Sequence, residues 1–511
     1  LSDDRGDAAT PRNRLLQRLA LAAILLGAAL LRGPQLDRTG LIVPYYFAGV
    51  FSQLQSWHNL FFHAFDPAGF LSLDKPPLAF WLQTLSAKLL GFAAASVLLP
   101  QVLAGLASIF VLSVLVRRRF GAAAGLLAAL FLAVTPVSVA VDHSNNTESW
   151  LVLVLLLAAG AIFTAIESGR TRWLLAAAAL VGIGFNVKMA AALGVVPVFA
   201  VVYLVWASPT PLRRVAQLST AAGVLAAVSL SWCLAYDLTP ADSRPLVDSS
   251  PANSMLELAV GHNLHDRFAH SPLFSAPRQP VTPNSSGAAR RGSDDLPAGP
   301  LRLIATALVI QIGWLYPLAL IGGIAAWRLG RRHERAALAV WMGWTLVYGI
   351  TFSLVGGLFV AYYVDALAAP LCALTGIGTA RLWSLRARGS FATLALPAAM
   401  AVTALWQAYI VAFHMTSERV GRELWLLVAL LTALLVAAGA AAAFRASSTK
   451  QRVCSAGGIA LLLVMPGVLS LAISRGWIPP QFRTGVYAER FSDRPRSAAD
   501  AAEDARMHRV F

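Results

Sequence analysis

Apolar stretches of roughly 17 or more residues recur along the chain, separated by short groups of Arg, Lys, Asp, Pro and Gly. A helix of that length crosses a bilayer. The pattern predicts spans over residues 15–31, 96–116, 122–141, 149–166, 173–187, 190–206 and 215–235, and, after a long polar interval, over 303–327, 336–354, 358–380, 391–413, 424–444 and 456–473. The expected fold is an all-α polytopic membrane protein with about 13 transmembrane helices. The run at 15–31 lacks a small-residue cleavage site and is followed by further spans, so it is expected to stay as an anchor.

Residues 76–92 are also apolar, but counting them as a span would put Arg117, Arg118 and Arg119 on the outside. Read as a helix lying in the outer interface, they restore one consistent topology. The groups Arg12/Arg14/Arg18, Arg117 to Arg119, Arg170/Arg172, Arg213/Arg214, Arg328/Arg331/Arg332, Arg381/Arg386/Arg388 and Arg445/Lys450/Arg452 then all face the cytoplasm. The N-terminus is cytoplasmic in this topology, and two segments, 33–95 and 236–300, lie outside. A polar tail, 475–511, also falls outside. The stretch 275–300, rich in Pro, Ser, Gly and Arg, carries no pattern of regular structure.

Composition confirms lipid as the solvent. Of 511 residues, 57% are hydrophobic and 13% charged, too few polar groups to solvate a globule of this size. The net charge of +16 reflects cations at span ends, not a groove-sized basic face, which excludes nucleic acid as a partner. Cys233, Cys372 and Cys454 sit in or beside apolar segments without ligand spacing, and read as packing residues.

Candidate chemistry gathers at the outer ends. The first outer segment carries Tyr45 and Tyr46, then Ser56-Trp57-His58-Asn59, then Asp66-Pro67, then Asp74-Lys75-Pro76-Pro77. The two prolines stiffen the turn that holds Asp74 and Lys75 at the bilayer surface. A lysine there could grip a lipid phosphate. Equally, Asp74 could cap the following helix while Lys75 snorkels. Between two spans on the same side stands Asp142-His143-Ser144-Asn145-Asn146-Thr147-Glu148, a longer polar run than a turn requires. It could order a sugar or an acceptor hydroxyl, or simply cap a helix. Lys188, in Gly184-Phe-Asn-Val-Lys-Met, would cost about 2.5 to 3.5 kcal/mol inside a span, which suggests function or snorkelling. Asp365, in Tyr362-Tyr363-Val364-Asp365, raises the same question. Asn253, His262, His265 and Asp266 mark the second outer segment. The histidines could join a divalent metal site, yet no tight ligand spacing is present, so no metal is predicted.

These motifs, in this order and spacing, resemble the bacterial GT-C glycosyltransferases. That group includes protein O-mannosyltransferases and aminoarabinose transferases, and the likeness is strongest to a family 39-like, mannosyltransferase-like branch. It rests on Ser56-Trp-His-Asn-Leu-Phe-Phe, Phe65-Asp-Pro-Ala-Gly-Phe, Asp74-Lys-Pro-Pro-Leu, Asp142-His-Ser-Asn-Asn-Thr-Glu-Ser-Trp, Gly184-Phe-Asn-Val-Lys-Met, Asp237-Leu-Thr-Pro-Ala and Asn253-Ser, and covers the chain to about Trp383. The resemblance implies a catalytic module over 1–383, followed by C-terminal spans over 384–474. It implies transfer of a sugar from a polyprenyl-phosphate donor to a lipid, glycan or protein acceptor on the outer side of a bacterial plasma membrane. By that resemblance Lys75 and Lys188 would bind the donor phosphate, and Asp74, Asp66 or Glu148 would be the catalytic base. Tyr45, Tyr46, His58, Asn145, Asn146, Asn253 and His262 would bind substrate. The chain departs from the pattern at three places. Leu41-Ile-Val-Pro, directly before Tyr45-Tyr46, carries no acid, His143 stands where relatives favour Arg, and His262 where they favour Tyr. A transporter or lipid flippase, or a non-catalytic homologue, is the alternative, although ionisable residues concentrated at one surface favour the enzyme.

Overall fold

The computed structural model describes residues 11–38, 41–265, 298–305, 308–356, 359–388, 392–415 and 448–476. Every regular element of length among them is helical, and extended pairing is confined to two isolated bridges, Ala64 with Ser72 and Leu71 with Leu246. Helix α1 (Pro11–Arg32) leads into a loop segment holding α2 (Pro44–Gln53), α3 (Trp57–Phe61) and α4 (Leu78–Leu90). The bundle continues with α5 (Ala94–Phe120), α6 (Ala122–Ala133), α7 (Pro136–Asp142), α8 (Glu148–Ser168), α9 (Thr171–Lys188), α10 (Val196–Trp206) and α11 (Pro211–Asp237). Beyond the second loop segment come α12 (Tyr316–Leu329), α13 (Arg332–Leu354), α14 (Ala368–Ser384), α15 (Ala395–His414), α16 (Ser448–Leu462) and α17 (Val464–Ser474). The core runs through α5, α6, α8, α9, α13 and α14.

Nine helices among the described residues are long and apolar enough to cross a membrane, or eleven if each of two bent pairs counts as a span. The expected thirteen is not confirmed by this count among the described residues, for two reasons. Residues 424–444 lie outside the described residues, and the spans expected at 173–187 and 190–206 form one helical run, Thr171–Trp206. That run nevertheless doubles back. Met189 adopts a φ of 44° directly after α9, and residues 189–195 form a 3-10 turn into α10. Gln217 bridges the two far ends, bonding Thr171 at 2.8 Å and Tyr203 at 2.8 Å, so α10 returns to the face where α9 began. Helix α4, at 13 residues, is about 20 Å long, short of the ~30 Å hydrocarbon core, and fits the interfacial reading.

The expected span 122–141 is broken. Pro136 removes a backbone donor and forces the preceding residue out of helical conformation, so α6 and α7 meet at 61°. The carbonyls freed at the break need partners in an apolar interior. Arg32 donates to Ala133 at 2.8 Å, and Ser470 of α17 donates to Val134 at 2.9 Å. Close helix contacts elsewhere use glycine. A Cβ on Gly322 of α12 would lie 2.5 Å from the Gly378 Cα of α14, which is how small residues let membrane helices approach.

Candidate active site

The first loop segment is built by its own polar side chains. Ser56 caps α3 by accepting the Asn59 N–H at 3.0 Å. The Asn59 amide donates to the Pro67 carbonyl at 3.0 Å. Asp66 accepts the backbone N–H groups of Phe70 and Leu71, at 3.0 and 2.9 Å to Oδ2, with Phe70 also reaching Oδ1. Its carboxylate is thereby committed to the turn, which argues against its expected role as a base. His58 lies at the rim, with Nε2 3.1 Å from the Ser243 carbonyl, and ties the first segment to the second. The second segment also pairs directly with the first. Ser72 N–H donates to Leu246 O and Leu246 N–H to Phe70 O, each at 2.8 Å.

This pairing sets the polar centre. Pro76 and Pro77 precede α4 and hold Asp74 and Lys75 at its start, where Lys75 Nζ meets Asp74 Oδ2 at 2.5 Å with Lys75 almost enclosed. The Asp74 N–H donates to the Tyr45 hydroxyl at 3.1 Å, and that hydroxyl donates to Asp248 Oδ2 at 2.6 Å. Tyr45 stacks on Phe65 with centroids 4.9 Å apart. Tyr46 is buried against Phe80 and within electrostatic reach of Asp74, Tyr362 and Tyr363. Burial first, and the Asp74 charge second, push both phenols well above the usual tyrosine range. Both therefore remain neutral at any working pH.

A second ion pair faces Tyr362 and Tyr363. Lys188, at the end of α9, pairs with Glu148 at the start of α8, and its ammonium lies 4.2 Å from the Tyr363 ring centroid and 5.2 Å from that of Tyr362. The break after Lys188 delivers this charge to the loop face, and Glu148 is matched by it. A lone charge in a span would be costly. The pairing lowers that cost.

The polar run before α8 is wholly buried from Asp142 to Ser149. Its side chains serve mainly to close the structure. The Asn145 amide accepts from Val43 N–H at 2.8 Å and donates to Val43 O at 3.2 Å, clamping the chain just ahead of Tyr45. Asn146 donates to Ser144 Oγ at 2.5 Å. Gln83 and Gln101 donate to the carbonyls of Asn145 and Asn146, each at 3.1 Å. Asp142 pairs with Arg32 at 2.6 Å and accepts from Ser149 at 2.7 Å, while Ser138 donates to Asp365 at 2.6 Å. Gly105 of α5 makes room for Asp142, since a Cβ there would lie 2.1 Å from Oδ2.

The structure thus brings Asp74, Lys75, Tyr45 and Tyr46 together, with Lys188 and Glu148 beyond the Tyr362 and Tyr363 rings. It directs Asp66, Asn145 and Asn146 to framework roles. Asn253, at φ 54°, is also structural, accepting from Val247 N–H at 2.8 Å and from Arg244. The side chain of His262 lies outside the described residues, as does Asp266. No three His, Cys, Asp or Glu side chains among the described residues are grouped to hold a metal ion. Asp248 is the group that reading the sequence missed. It stands beside two serines in a loop, and only the Leu71 to Leu246 pairing shows that it reaches Tyr45.

An apolar cavity of ≈ 400 Å³ opens between α8, α9, α10 and α11, lined by residues such as Leu174, Val181, Phe199 and Leu218. It lies toward the ends of α9 and α11 that carry Arg172 and Arg213, away from the polar centre.

Comparison with known proteins agrees with the fold. A family model described as dolichyl-phosphate-mannose-protein mannosyltransferase matches residues 74–232. "Putative mannosyltransferase YycA" of Bacillus subtilis (strain 168) is 33% identical over 482 residues, covering 80% of this chain and 70% of that protein. "Putative mannosyltransferase YkcB" of the same organism is 34% identical over 474 residues, covering 77% of this chain and 66% of its own length. The crystal structure of ArnT from Cupriavidus metallidurans bound to undecaprenyl phosphate superposes with a TM-score of 0.56 at 16% identity, covering 92% of this chain and 78% of that one. The arabinosyltransferase EmbB from Mycobacterium smegmatis gives 0.55 at 14% identity, covering 94% of this chain and 44% of that one.

Proposed function

Because the chain belongs to the GT-C superfamily of membrane glycosyltransferases, in the family of the two Bacillus proteins, we propose that it transfers a sugar from a polyprenyl-phosphate donor to an acceptor hydroxyl at the loop face. The loop face is the outer side of the bacterial plasma membrane in this reading. The observation that carries it is the Asp74–Lys75 pair, fixed by two prolines at the start of an interfacial helix and roofed by Tyr45 and Tyr46. A cation so placed meets a phosphate at headgroup depth. Lys75 neutralises the charge that develops on the departing phosphate, and Asp74 orients the ammonium. Lys188, framed by Tyr362 and Tyr363, supplies a second cation. His58, at the rim, lines the approach of sugar or acceptor, with the buried Tyr46 ring behind the polar centre. The ArnT structure holding undecaprenyl phosphate supports a lipid-linked donor by analogy of fold. The mannosyltransferase names of the relatives support a hexose such as mannose as the transferred sugar.

A transporter would use its intramembrane ions as a moving relay. Here Asp142 is locked to Arg32 and Ser149, and Asp365 to Ser138, which favours the enzyme. The test is transfer by the purified protein in lipid from a panel of radiolabelled polyprenyl-phosphate sugars, with membrane extract as acceptor. Lys75→Ala is expected to lose about 10²–10³-fold in kcat while melting like the wild type. Wild-type protein that transfers from no donor, or a fully active Lys75→Ala, overturns the proposal.

A further inference from the structure

A glycosyl transfer needs a base for the acceptor hydroxyl, and the segment before Tyr45, Leu41-Ile-Val-Pro, offers no acid. The carboxylates near the loop face can be sorted by what already binds them. Asp66 is filled by two backbone N–H groups. Asp237 caps the start of the next helical turn, accepting from Ser254, Met255 and Leu256. Glu257 is held by Ser250 and by the Ala252 N–H. Glu148 faces Lys188, and Asp74 faces Lys75. Each of these is engaged by a cation or by several donors.

Asp248 differs. Its Oδ2 accepts the Tyr45 hydroxyl, and among the described residues its Oδ1 meets only the neighbouring Ser249 hydroxyl, at 3.3 Å. An ionised carboxylate has about four lone-pair positions, so acceptor capacity remains. It is half-buried, at the seam between the two loop segments. The seam is also rigid. Leu71 pairs with Leu246, the Asp248 N–H donates to Ser72 Oγ at 3.3 Å, and the Asn253 amide holds Val247. One phenol joins this carboxylate to the backbone of Asp74, next to the cation assigned to the donor phosphate.

We propose that Asp248, delivered by the second loop segment, is the general base that receives the acceptor hydroxyl, a role resting on the glycosyltransferase reading above. Asp248 takes the hydroxyl proton as the acceptor oxygen bonds to the anomeric carbon. The bond from that carbon to the phosphate oxygen breaks, and its electron pair leaves with the phosphate, whose charge Lys75 balances. Tyr45 is the positioning residue, fixing the carboxylate while remaining protonated. The acceptor class is any molecule presenting a hydroxyl to this seam.

The experiment compares wild type, Lys75→Ala, Asp248→Asn and Asp248→Ala in the same reconstituted transfer assay, with donor binding measured separately by equilibrium binding of the radiolabelled donor. Asp248→Asn is expected to lose about 10²–10⁴-fold in kcat with donor binding unchanged. Formate added to Asp248→Ala is expected to restore part of the lost kcat, which a purely structural loss would not allow. Near wild-type kcat in Asp248→Asn beside an inactive Lys75→Ala overturns the role of Asp248 and leaves the glycosyltransferase reading standing. Loss of donor binding in Asp248→Asn in step with kcat, without formate rescue, also overturns it, by making the loop seam a donor-site brace. Absence of transfer by the wild type sinks both.

Discussion

The imidazole of His63 is fully enclosed between Phe80 and Trp232, with Nδ1 2.9 Å from the Gln53 amide nitrogen, which donates to it. Gln53 in turn accepts from Thr84 of α4 at 2.9 Å, so the ring ties α2 to α4 beneath the Asp74–Lys75 pair. Burial, only partly opposed by Asp74, pushes the pKa of this histidine down to about 3. An unfolded chain protonates the same ring near 6.5. The contribution of His63 is therefore complete above pH 6.5 and is lost as pH falls toward 3, at about 1.4 kcal/mol per pH unit. His143, lowered chiefly by burial, acts in the same direction. Between pH 7 and pH 5 the melting temperature of the protein in detergent should fall, and it should fall less in His63→Gln. An equal fall in both proteins would assign the acid sensitivity to other groups. The sequence showed a histidine in an aromatic loop and nothing of this enclosure, because Gln53, Phe80 and Trp232 reach it from three separate elements.

The broken α6–α7 segment depends on a residue from another helix. Arg32 ends α1, is buried completely, and serves both the orphan carbonyls at the Pro136 break and the Asp142 carboxylate on α7. Removing one partner of such a buried pair typically costs about 3–5 kcal/mol, because the other is left charged and unmatched. Arg32→Met should therefore lower the midpoint of thermal unfolding strongly. Adding Asp142→Leu to it should recover part of the loss, since the stranded charge is then gone. A double variant no more stable than Arg32→Met would show that Arg32 acts through the carbonyls alone. The hydrophobic pattern located nearly every described helix but read 122–141 as one uninterrupted span, because periodicity cannot register a bend whose cost is met by side chains 100 residues away. It also took the polar run after α7 as a possible substrate surface. The Asn145 side chain instead bonds the Val43 backbone, the Asn146 side chain bonds Ser144, and Gln83 and Gln101 reach their carbonyls. Spacing along the sequence does not reveal partners on distant elements.

At the scale of the whole molecule, the placement of every candidate group on one face rests on the path of the chain between Thr171 and Trp206. A single crossing by this run would put the Arg170/Arg172 and Arg213/Arg214 groups on opposite sides of the membrane. A reversal after Lys188 puts them on the same side and Lys188 on the loop face. The contacts favour the reversal, since Gln217 joins Thr171 to Tyr203 and Ser208 Oγ lies 3.5 Å from the Ile166 carbonyl. Single cysteines read the difference directly. Cys233 and Cys372 are buried, so replacing Cys454 with Ser leaves a quiet background. In intact cells a membrane-impermeant maleimide should label Asp242→Cys, which is exposed in the second loop segment. Ser168→Cys and Ser208→Cys, exposed at the arginine end, should both label only after permeabilisation. Labelling of Ser168→Cys and Ser208→Cys from opposite sides would make Thr171–Trp206 one crossing, separate Lys188 from Glu148, and dismantle the two-cation site. Labelling of both from outside, with Asp242→Cys protected, would keep the fold and turn its active face toward the cytoplasm. The arginine groups weigh against that inverted orientation, because cations at span ends are retained on the cytoplasmic side.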